Sequence, residues 1–409
     1  MESEKAKLAI LGHAPAFAAP LHVGRPNLGD RSKLHNRLDA ILQRNWLTNQ
    51  GPFEQEFEQR IADHIGVGHC VAICNGTVAL EIAIRATELT GEVIVPGFTF
   101  VATAHALKWQ DINPVFCDID PQTHNIDPAR IEELITPRTT GIIGVHLWGR
   151  PCPISELQEI SDRNNLTLLF DAAHAFGCSD AGQMIGTFGR AEVLSFHATK
   201  FINAFEGGAV VTNDDELARK MRLMRNFGFA GYDDVIYPGT NGKLSEICAA
   251  MGLTSLDSLD EIVATNRHNF ACYERELADL DGVSIISYDS AETCNYQYIV
   301  LDIDPSKTPL SRDELINVLH ADHVLARRYF YPGCHRMEPY RSSRSKTAQP
   351  LPVTEDVCQR VMQLPTGTSI GEDHVRGIAR IIRTAFENAS VVRKAVAQLS
   401  DRVDELDVE

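Results

Sequence analysis

Short runs of β-branched residues alternate with helical patterns from about residue 70 to residue 215, and this alternation limits the possible folds more than any other feature of the chain. Such alternation is the signature of βαβ units and of a mostly parallel sheet. Because parallel strands need crossovers, we expect ligand-binding residues in the loops at the carboxyl ends of the strands. The predicted strands span residues 69–74, 92–95, 114–118, 141–146, 166–171, 192–196 and 208–212, and helices are predicted over 78–88, 131–134 and 154–164.

The pattern changes after a helical stretch that ends near residue 265. Strands are predicted over 283–288 and 296–303 and a helix over 312–321, which indicates a smaller α+β domain. A chain of 409 residues is long enough to bury two cores. We therefore predict four segments, which are an N-terminal arm (1–30), a large domain (31–265), a small C-terminal domain (266–387) and a C-terminal helix or tail (388–409).

The composition argues against several classes of protein. The formal net charge is −17, and binding of a nucleic-acid backbone needs a basic face that such a chain does not supply. No stretch approaches the ~20 apolar residues of a membrane-spanning helix, and mixed charges and prolines interrupt the apolar patch near the N-terminus. The ten cysteines form no C-x-x-C pair and match no histidine cluster at zinc spacing. We therefore expect no metal, no membrane contact and a reducing, cytoplasmic setting.

Asn75, Gly76 and Thr77 close one predicted strand and open the next helix. The first N–H groups of a helix are unpaired and lie at the positive end of its dipole, and a glycine lets a phosphate approach them closely. The tripeptide is therefore a candidate phosphate site. The alternative is ordinary helix capping, because Asn and Thr are common N-cap residues.

Asp171 and Lys200 each follow a buried strand. An ionised carboxylate at the end of an apolar run is costly unless it meets a cation, such as a protonated pyridine nitrogen, or several donors. Desolvation of Lys200 would lower its pKa and supply a neutral amine for Schiff-base chemistry. The alternatives are that Asp171 caps the next turn and that Lys200 is an ordinary surface lysine.

Together these sites meet the needs of pyridoxal phosphate (PLP), which requires an amine, an acid for its ring nitrogen and an anion site in one pocket. The sequence also resembles the DegT/DnrJ/EryC1/StrS family of PLP-dependent sugar-nucleotide aminotransferases, which have fold type I of the aspartate-aminotransferase kind. The resemblance covers most of the chain. Its segments are TNQGP (48–52), NGTVAL (75–80), PGFTFVAT (96–103), FDAAH (170–174), SFHATK (195–200), EGG (206–208), GTNGK (239–243) and RRYFYPGCH (327–335).

This resemblance implies that Lys200 forms the Schiff base with PLP and that Asp171 holds the ring nitrogen. Two positions depart from the family pattern. Asn75 stands where Ser is common, and Phe170 stands where a Glu commonly precedes the Asp, but neither departure removes a group that PLP requires. The resemblance also implies that Gly76, Thr77 and Ser195 bind the phosphate. Phe100 would stack on the cofactor ring, and His174 would lie near its phenolic oxygen.

In the family, the residue that matches Asn241 reaches the phosphate of the neighbouring subunit's cofactor. The resemblance therefore implies a homodimer with shared active sites. Lys243, Tyr331 and His335 are candidate substrate-binding residues by position alone. The alternative is that these three side chains pack or lie on the surface, as such side chains usually do.

The reaction implied is transfer of an amino group from glutamate to a nucleotide-linked keto-sugar. Segments 195–200, 205–208 and 331–335 resemble the 4-aminotransferases that act on dTDP-4-keto-6-deoxyglucose, and the alternative is a 3-keto-sugar aminotransferase. A non-catalytic regulatory protein of the same fold is disfavoured because Lys200 and Asp171 are both present. A sugar dehydratase would carry His in place of the lysine, and a cysteine desulfurase would need a catalytic-loop cysteine.

Overall fold

A computed structural model describes residues 7–342 and 349–406, with side chains as far as residue 398. The first six residues of the predicted N-terminal arm and the last three of the predicted C-terminal segment lie outside this part. Its helices are α1 (Arg31–Arg44), α2 (Pro52–Ile65), α3 (Gly76–Ala86), α4 (Ala102–Lys108), α5 (Ile154–Asn164), α6 (Asp215–Met224), α7 (Glu246–Leu256), α8 (Leu259–Leu277), α9 (Arg312–Ala321), α10 (Glu338–Arg341), α11 (Pro352–Arg360), α12 (Glu372–Glu387) and α13 (Ala389–Leu406).

The strands form one large sheet, one small sheet and two short pairs. The strands are β1 (Leu21–His22), β2 (His69–Ile73), β3 (Glu92–Pro96), β4 (Asn113–Cys117), β5 (Thr139–Val145), β6 (Thr167–Asp171), β7 (Ser179–Asp180), β8 (Gln183–Met184), β9 (Ala191–Ser195), β10 (Gly208–Thr212), β11 (Val283–Ile285), β12 (Ile299–Ile303), β13 (Val324–Leu325) and β14 (Val361–Leu364).

The large sheet has seven strands in the order β2-β10-β9-β6-β5-β3-β4. Only β10 runs antiparallel to its neighbours, so the sheet is mostly parallel as predicted. All seven strands predicted between residues 69 and 212 are confirmed, with bounds that differ by at most two residues. Buried aliphatic side chains cover both faces of the sheet, which explains why its strands read as continuous apolar runs.

The helical segment predicted over 131–134 is confirmed as a short 3₁₀ helix. The structure has 3₁₀ turns at Pro128–Arg130 and Glu132–Leu134. Pro137 explains why these turns do not continue into a longer helix. A proline disfavours helical backbone at the residue before it, and it has no N–H to donate to a helical hydrogen bond. The helix predicted over 154–164 is confirmed as α5.

The small sheet, β11-β12-β14, is antiparallel and packs with α8, α9 and α12 around a second apolar core. Its helix α9 matches the predicted range 312–321, and it begins with a capping box formed by Ser311 and Glu314. The boundary predicted at residue 265 falls inside α8, so one helix connects the two sheets and that division stays a prediction. Within the described residues, no helix is long and apolar enough to cross a membrane.

The predicted N-terminal arm joins the small sheet's side of the molecule rather than lying apart. Strand β1 pairs in parallel with β13, with Leu21 opposite Val324. Asn27 is buried and donates to the Phe201 carbonyl, while its own side-chain oxygen accepts from Thr368. The arm is therefore fixed between the loop after β9 and the small sheet, above the carboxyl ends of the large sheet.

Candidate active site

A cavity of about 580 Å³ lies where the carboxyl ends of β3, β6 and β9 face the arm and the small sheet. This is the edge at which parallel α/β sheets bind ligands. We call it the inner cavity. The structure brings seven of the predicted site residues together in its lining, namely Gly76, Thr77, Phe100, Asp171, His174, Ser195 and Lys200.

The amine of Lys200 lies inside the inner cavity. Lys200 Nζ donates a hydrogen bond to Tyr298 Oη over 3.1 Å. Burial lowers the pKa of Lys200 to about 8, although the negative charge of Asp171 acts in the opposite direction. At neutral pH a minor fraction of the amine, roughly a tenth, is therefore neutral, far more than for an exposed lysine, and this is the form that attacks a carbonyl.

Asp171 ends β6, and its carboxylate is buried at the floor of the inner cavity. Thr103 Oγ1 donates to Asp171 Oδ2 over 2.8 Å, and the backbone N–H of Ala173 donates to Oδ1 over 3.1 Å. Burial raises the pKa of Asp171 in spite of these two donors. A cation that faces the carboxylate, such as a protonated ring nitrogen, would therefore stabilise its charged form.

His174 lies next to Tyr298, with ring centroids 4.4 Å apart, and stacks on Trp148 at 5.9 Å. Burial, together with the nearby charge of Lys200, holds the pKa of His174 well below its usual range. The backbone N–H of Trp148 donates to His174 Nδ1 over 3.3 Å, so the proton of the neutral ring sits on Nε2. His174 therefore presents one hydrogen-bond donor and no charge.

The first turn of α3 and the end of β9 meet at one wall of the inner cavity. Asn75 caps α3 by accepting from the Val78 N–H over 2.9 Å, as the capping interpretation predicts. A Cβ added to Gly76 would lie 3.2 Å from the Cβ of Ser195. A Cβ added to Gly208 would lie 2.6 Å from the carbonyl of Asn75, so glycine is required for the close approach of β10. These contacts shape a narrow cradle of helix N–H groups and a hydroxyl.

Four predicted site residues lie outside the inner cavity. Asn241 is exposed and accepts a hydrogen bond from Lys243 Nζ over 2.6 Å. His335 is buried, and its Nε2 lies 3.1 Å from Glu355 Oε1. Tyr331 is 40% exposed and lines a second cavity of about 620 Å³, here called the outer cavity. The structure thus brings none of these four side chains to the amine of Lys200 within one chain.

Two residues that line the inner cavity, Trp148 and Tyr298, and one that supports Asp171, Thr103, were missed by sequence reasoning. Thr103 binds Asp171, Tyr298 binds Lys200, and Trp148 orients His174. A signal existed for Thr103, because a second hydroxyl, that of Thr99, stands four residues earlier and lies 3.1 Å from it. Tyr298 and Trp148 give no such signal, since each reaches the cavity from a distant part of the chain.

Comparison with known proteins identifies the family. The model of the DegT/DnrJ/EryC1/StrS aminotransferase family matches residues 30–383. The chain belongs to this family. It is accordingly an aminotransferase with the fold of the aspartate-aminotransferase type, and the fold class predicted from the sequence is confirmed.

Members of the family with named activities are similar over nearly their whole length. The chain is 38% identical to a dTDP-4-amino-4,6-dideoxy-D-glucose transaminase of Shigella dysenteriae, over 89% of this chain and 98% of the relative. It is 37% identical to a GDP-perosamine synthase of Caulobacter vibrioides, over 75% and 84%. Among solved structures, DesI in the presence of its TDP-sugar product superposes with a TM-score of 0.90 at 48% identity, over 97% of this chain and 99% of DesI.

Proposed function

We propose that this family member transfers an amino group from glutamate to C4 of a dTDP-linked 4-keto-6-deoxyhexose, with PLP as cofactor. The single observation that carries the chemistry is the meeting of Lys200 and Asp171 in the inner cavity. The sugar rests on the relatives, because one is named for the 4-amino-4,6-dideoxyglucose product and DesI is described with a TDP-sugar product. Both lines support reaction at C4 rather than at C3.

The residues present fit PLP. Lys200 would hold the cofactor, Asp171 would face its ring nitrogen, and the cradle of Gly76, Thr77 and Ser195 would take its phosphate. A side chain at Gly76 would crowd Ser195, because its Cβ would lie 3.2 Å from the Cβ of Ser195. When bound, PLP supplies an electron sink for the carbon that loses its proton.

Lys200 acts twice in this proposal. Its neutral fraction, maintained by burial, is the form that can hold the cofactor, and once released the same amine moves a proton at the reacting carbon. Tyr298 Oη keeps the amine oriented, and the carboxylate of Asp171 stabilises a positive charge that faces it. His174 offers its Nε2–H as an uncharged donor, and Phe100 on the cavity wall offers a ring face for stacking.

The active form in this proposal is a homodimer with shared sites. Asn241 lies outside the inner cavity of its own chain, as a residue that serves the neighbouring subunit must. Large apolar side chains are exposed on the same stretch of chain, and such patches mark interaction sites. They are Phe227, Phe229, Tyr232, Val235, Ile236 and Ile247.

Absorbance spectroscopy tests the two half-reactions separately. Purified holoenzyme is treated with glutamate and then with dTDP-4-keto-6-deoxyglucose, alongside Lys200→Ala. We expect glutamate to convert the PLP band to the pyridoxamine band, and the sugar to restore it. Conversion without restoration would contradict the sugar acceptor but not the aminotransferase, and a GDP-linked 4-keto sugar tested in parallel identifies the nucleotide.

A further inference from the structure

The segment between β5 and α5, residues 146–153, turns beside the inner cavity, and we call it the β5–α5 loop. Its Trp148 N–H is the group that donates to His174 Nδ1 over 3.3 Å. Trp148 has a φ of +61°, in the left-handed region that a bulky residue rarely adopts. Such a backbone persists only where the surrounding contacts hold it, so the direction of this N–H depends on what holds the loop.

His146 begins the β5–α5 loop, and its buried ring closes it. The ring stacks on Phe170, with centroids 4.8 Å apart, and its Nδ1 accepts from the Cys152 N–H over 3.1 Å. A backbone N–H can only donate, so the proton of the ring sits on Nε2. The hydrogen bond joins two residues that flank Trp148, and it exists only while Nδ1 is free of a proton.

Glu192 on β9 determines which nitrogen of His146 carries the proton. Glu192 Oε2 lies 3.1 Å from His146 Nε2, and both side chains are fully buried. The other carboxylate oxygen, Oε1, accepts from the N–H groups of Gly186 and Phe188, each over 2.7 Å. Glu192 therefore takes the Nε2–H of His146 and leaves Nδ1 as an acceptor. A second proton on the ring would face the Cys152 N–H, so the geometry corresponds to the neutral ring.

Two further side chains hold the β5–α5 loop. Asn125 Oδ1 accepts from the Leu147 N–H over 3.2 Å, and Tyr288 Oη donates to the Trp148 carbonyl over 3.0 Å. These bonds need no particular protonation state. The bond of His146 differs from them, because its acceptor is present in only one tautomer of the ring.

We propose that His146 and Glu192 are positioning residues of the active site, which hold the β5–α5 loop so that the Trp148 N–H keeps the proton of His174 on Nε2. Neither residue lines the inner cavity, so both act through the loop. The inference rests on the proposed function, in which His174 offers its Nε2–H to the cofactor. Without a donor to Nδ1, the proton of His174 could occupy either ring nitrogen, and part of the molecules would lose the donor that faces the cofactor.

Nuclear magnetic resonance of cofactor-free protein labelled with ¹⁵N-histidine tests this, because ring ¹⁵N shifts report the tautomer. The signals of His174 are identified by their loss in His174→Gln. We expect the Nε2–H tautomer in the wild type and a mixture of tautomers in Glu192→Gln. The glutamine keeps the shape of Glu192, but its amide NH₂ would face His146 Nε2, move the ring proton to Nδ1 and displace the Cys152 N–H.

His146→Asn and His146→Leu form a matched pair, because the two new side chains have nearly the same size and both leave Glu192 without its histidine partner. Only the asparagine offers an oxygen to the Cys152 N–H. We therefore expect His174 to keep its tautomer in His146→Asn and to lose it in His146→Leu. Glu92→Gln is the control for loss of a buried carboxylate, since Glu92 begins β3 of the same sheet and is 4% exposed.

The rate of the half-reaction with glutamate, measured on holoenzyme, should fall by up to roughly 10²-fold in Glu192→Gln and His146→Leu and stay close to that of the wild type in Glu92→Gln. Urea unfolding verifies that each variant is folded. A wild-type His174 tautomer in both Glu192→Gln and His146→Leu would overturn the inference, and so would an equal change in Glu92→Gln. The tautomer is measured without cofactor or sugar, so failure of the proposed function would appear separately, as a wild-type enzyme that does not react with glutamate.

Discussion

Lys200 Nζ donates to Tyr298 Oη over 3.1 Å, so a hydroxyl next to the small sheet holds the amine that follows the large sheet. This hydrogen bond favours the charged amine, because the tyrosine oxygen accepts. Burial favours the neutral amine more strongly than the negative charge of Asp171 favours the charged one, and the pKa of Lys200 is about 8. We therefore expect the pKa of Lys200 to depend on the position of the small sheet relative to the large one, because this position places Tyr298 beside the amine.

Tyr298→Phe should lower the pKa of Lys200 below its present value of about 8. The charged amine loses an acceptor, and a hydrogen bond of this kind accounts for roughly one pH unit. The measurement is the rate at which PLP reattaches to cofactor-free protein as a function of pH. The half-maximal rate should move to lower pH in Tyr298→Phe, and an unchanged profile would mean that the hydroxyl does not act on the amine.

Lys200→Met should stabilise the cofactor-free protein by up to about 3 kcal/mol at pH 7. The pKa of Lys200 is lowered from 10.5 to about 8, so below pH 8 the folded state carries a charge that burial disfavours. The wild type gains stability as the pH rises from 8 towards 10.5, because only the unfolded state still binds the proton. The advantage of the variant should therefore vanish by about pH 10.5.

Urea unfolding at pH 7 and pH 10 measures this difference. Lys108→Met, at the exposed end of α4, is the matched control. A difference between Lys200→Met and wild type that is the same at both pH values would contradict the account.

Asp171→Asn should make the cofactor-free protein more stable at neutral pH and the enzyme much less active. Burial raises the pKa of Asp171, so folding disfavours its ionised form, and this cost grows as the pH rises above the pKa of the unfolded state. The gain of the variant should shrink as the pH falls towards 4. Activity should fall by roughly 10²–10³-fold, because a preorganised charge opposite the ring nitrogen is lost. Thermal unfolding of cofactor-free protein at several pH values and turnover of holoenzyme separate the two effects.

Gly208→Ala should weaken retention of the cofactor, because the added Cβ would lie 2.6 Å from the Asn75 carbonyl and push the cradle apart. The cost of such overpacking is about 1–3 kcal/mol. Gly68→Ala is the control, since its Cβ would meet no atom closer than 3.5 Å. Equal dissociation of PLP from both variants during gel filtration would show that the approach of β10 does not shape the cradle.

Mixed dimers test whether Asn241 serves the neighbouring subunit. Lys200→Ala and Asn241→Ala should each be nearly inactive alone. After the two are unfolded and refolded together, half of the dimers carry one intact site, so activity should return to about a quarter of that of the wild type. No recovery above the sum of the two variants would exclude sharing of the sites.

The large sheet and its two central residues were predictable because local pattern determines both. Buried parallel strands need apolar runs, and a polar residue that ends such a run, like Asp171, must lie at the carboxyl edge. Lys200 was found for the same reason. Short elements were harder, and the type of the helical segment at Glu132–Leu134 could not be predicted because three residues are too few to show a hydrophobic period.

Contacts made across long stretches of chain could not be predicted in this way. Tyr298 reaches Lys200 across 98 positions, and nothing near Tyr298 in the sequence indicates a partner. His335 was chosen by position and lies buried beside Glu355 instead.

The pairing of β1 with β13 bears on the order in which the protein is assembled during synthesis. Leu21 meets Val324, and Asn27 meets Thr368, so the arm finds its partners only after the ribosome has made the large sheet and much of the small one. Val23, Arg25 and Asn27 belong to the wall around Lys200. The large sheet can form earlier from its own consecutive units, but this wall is complete only after Val324 and Thr368 have been synthesised. A nascent chain stalled before that point would therefore expose its reactive lysine without the enclosure that tunes it.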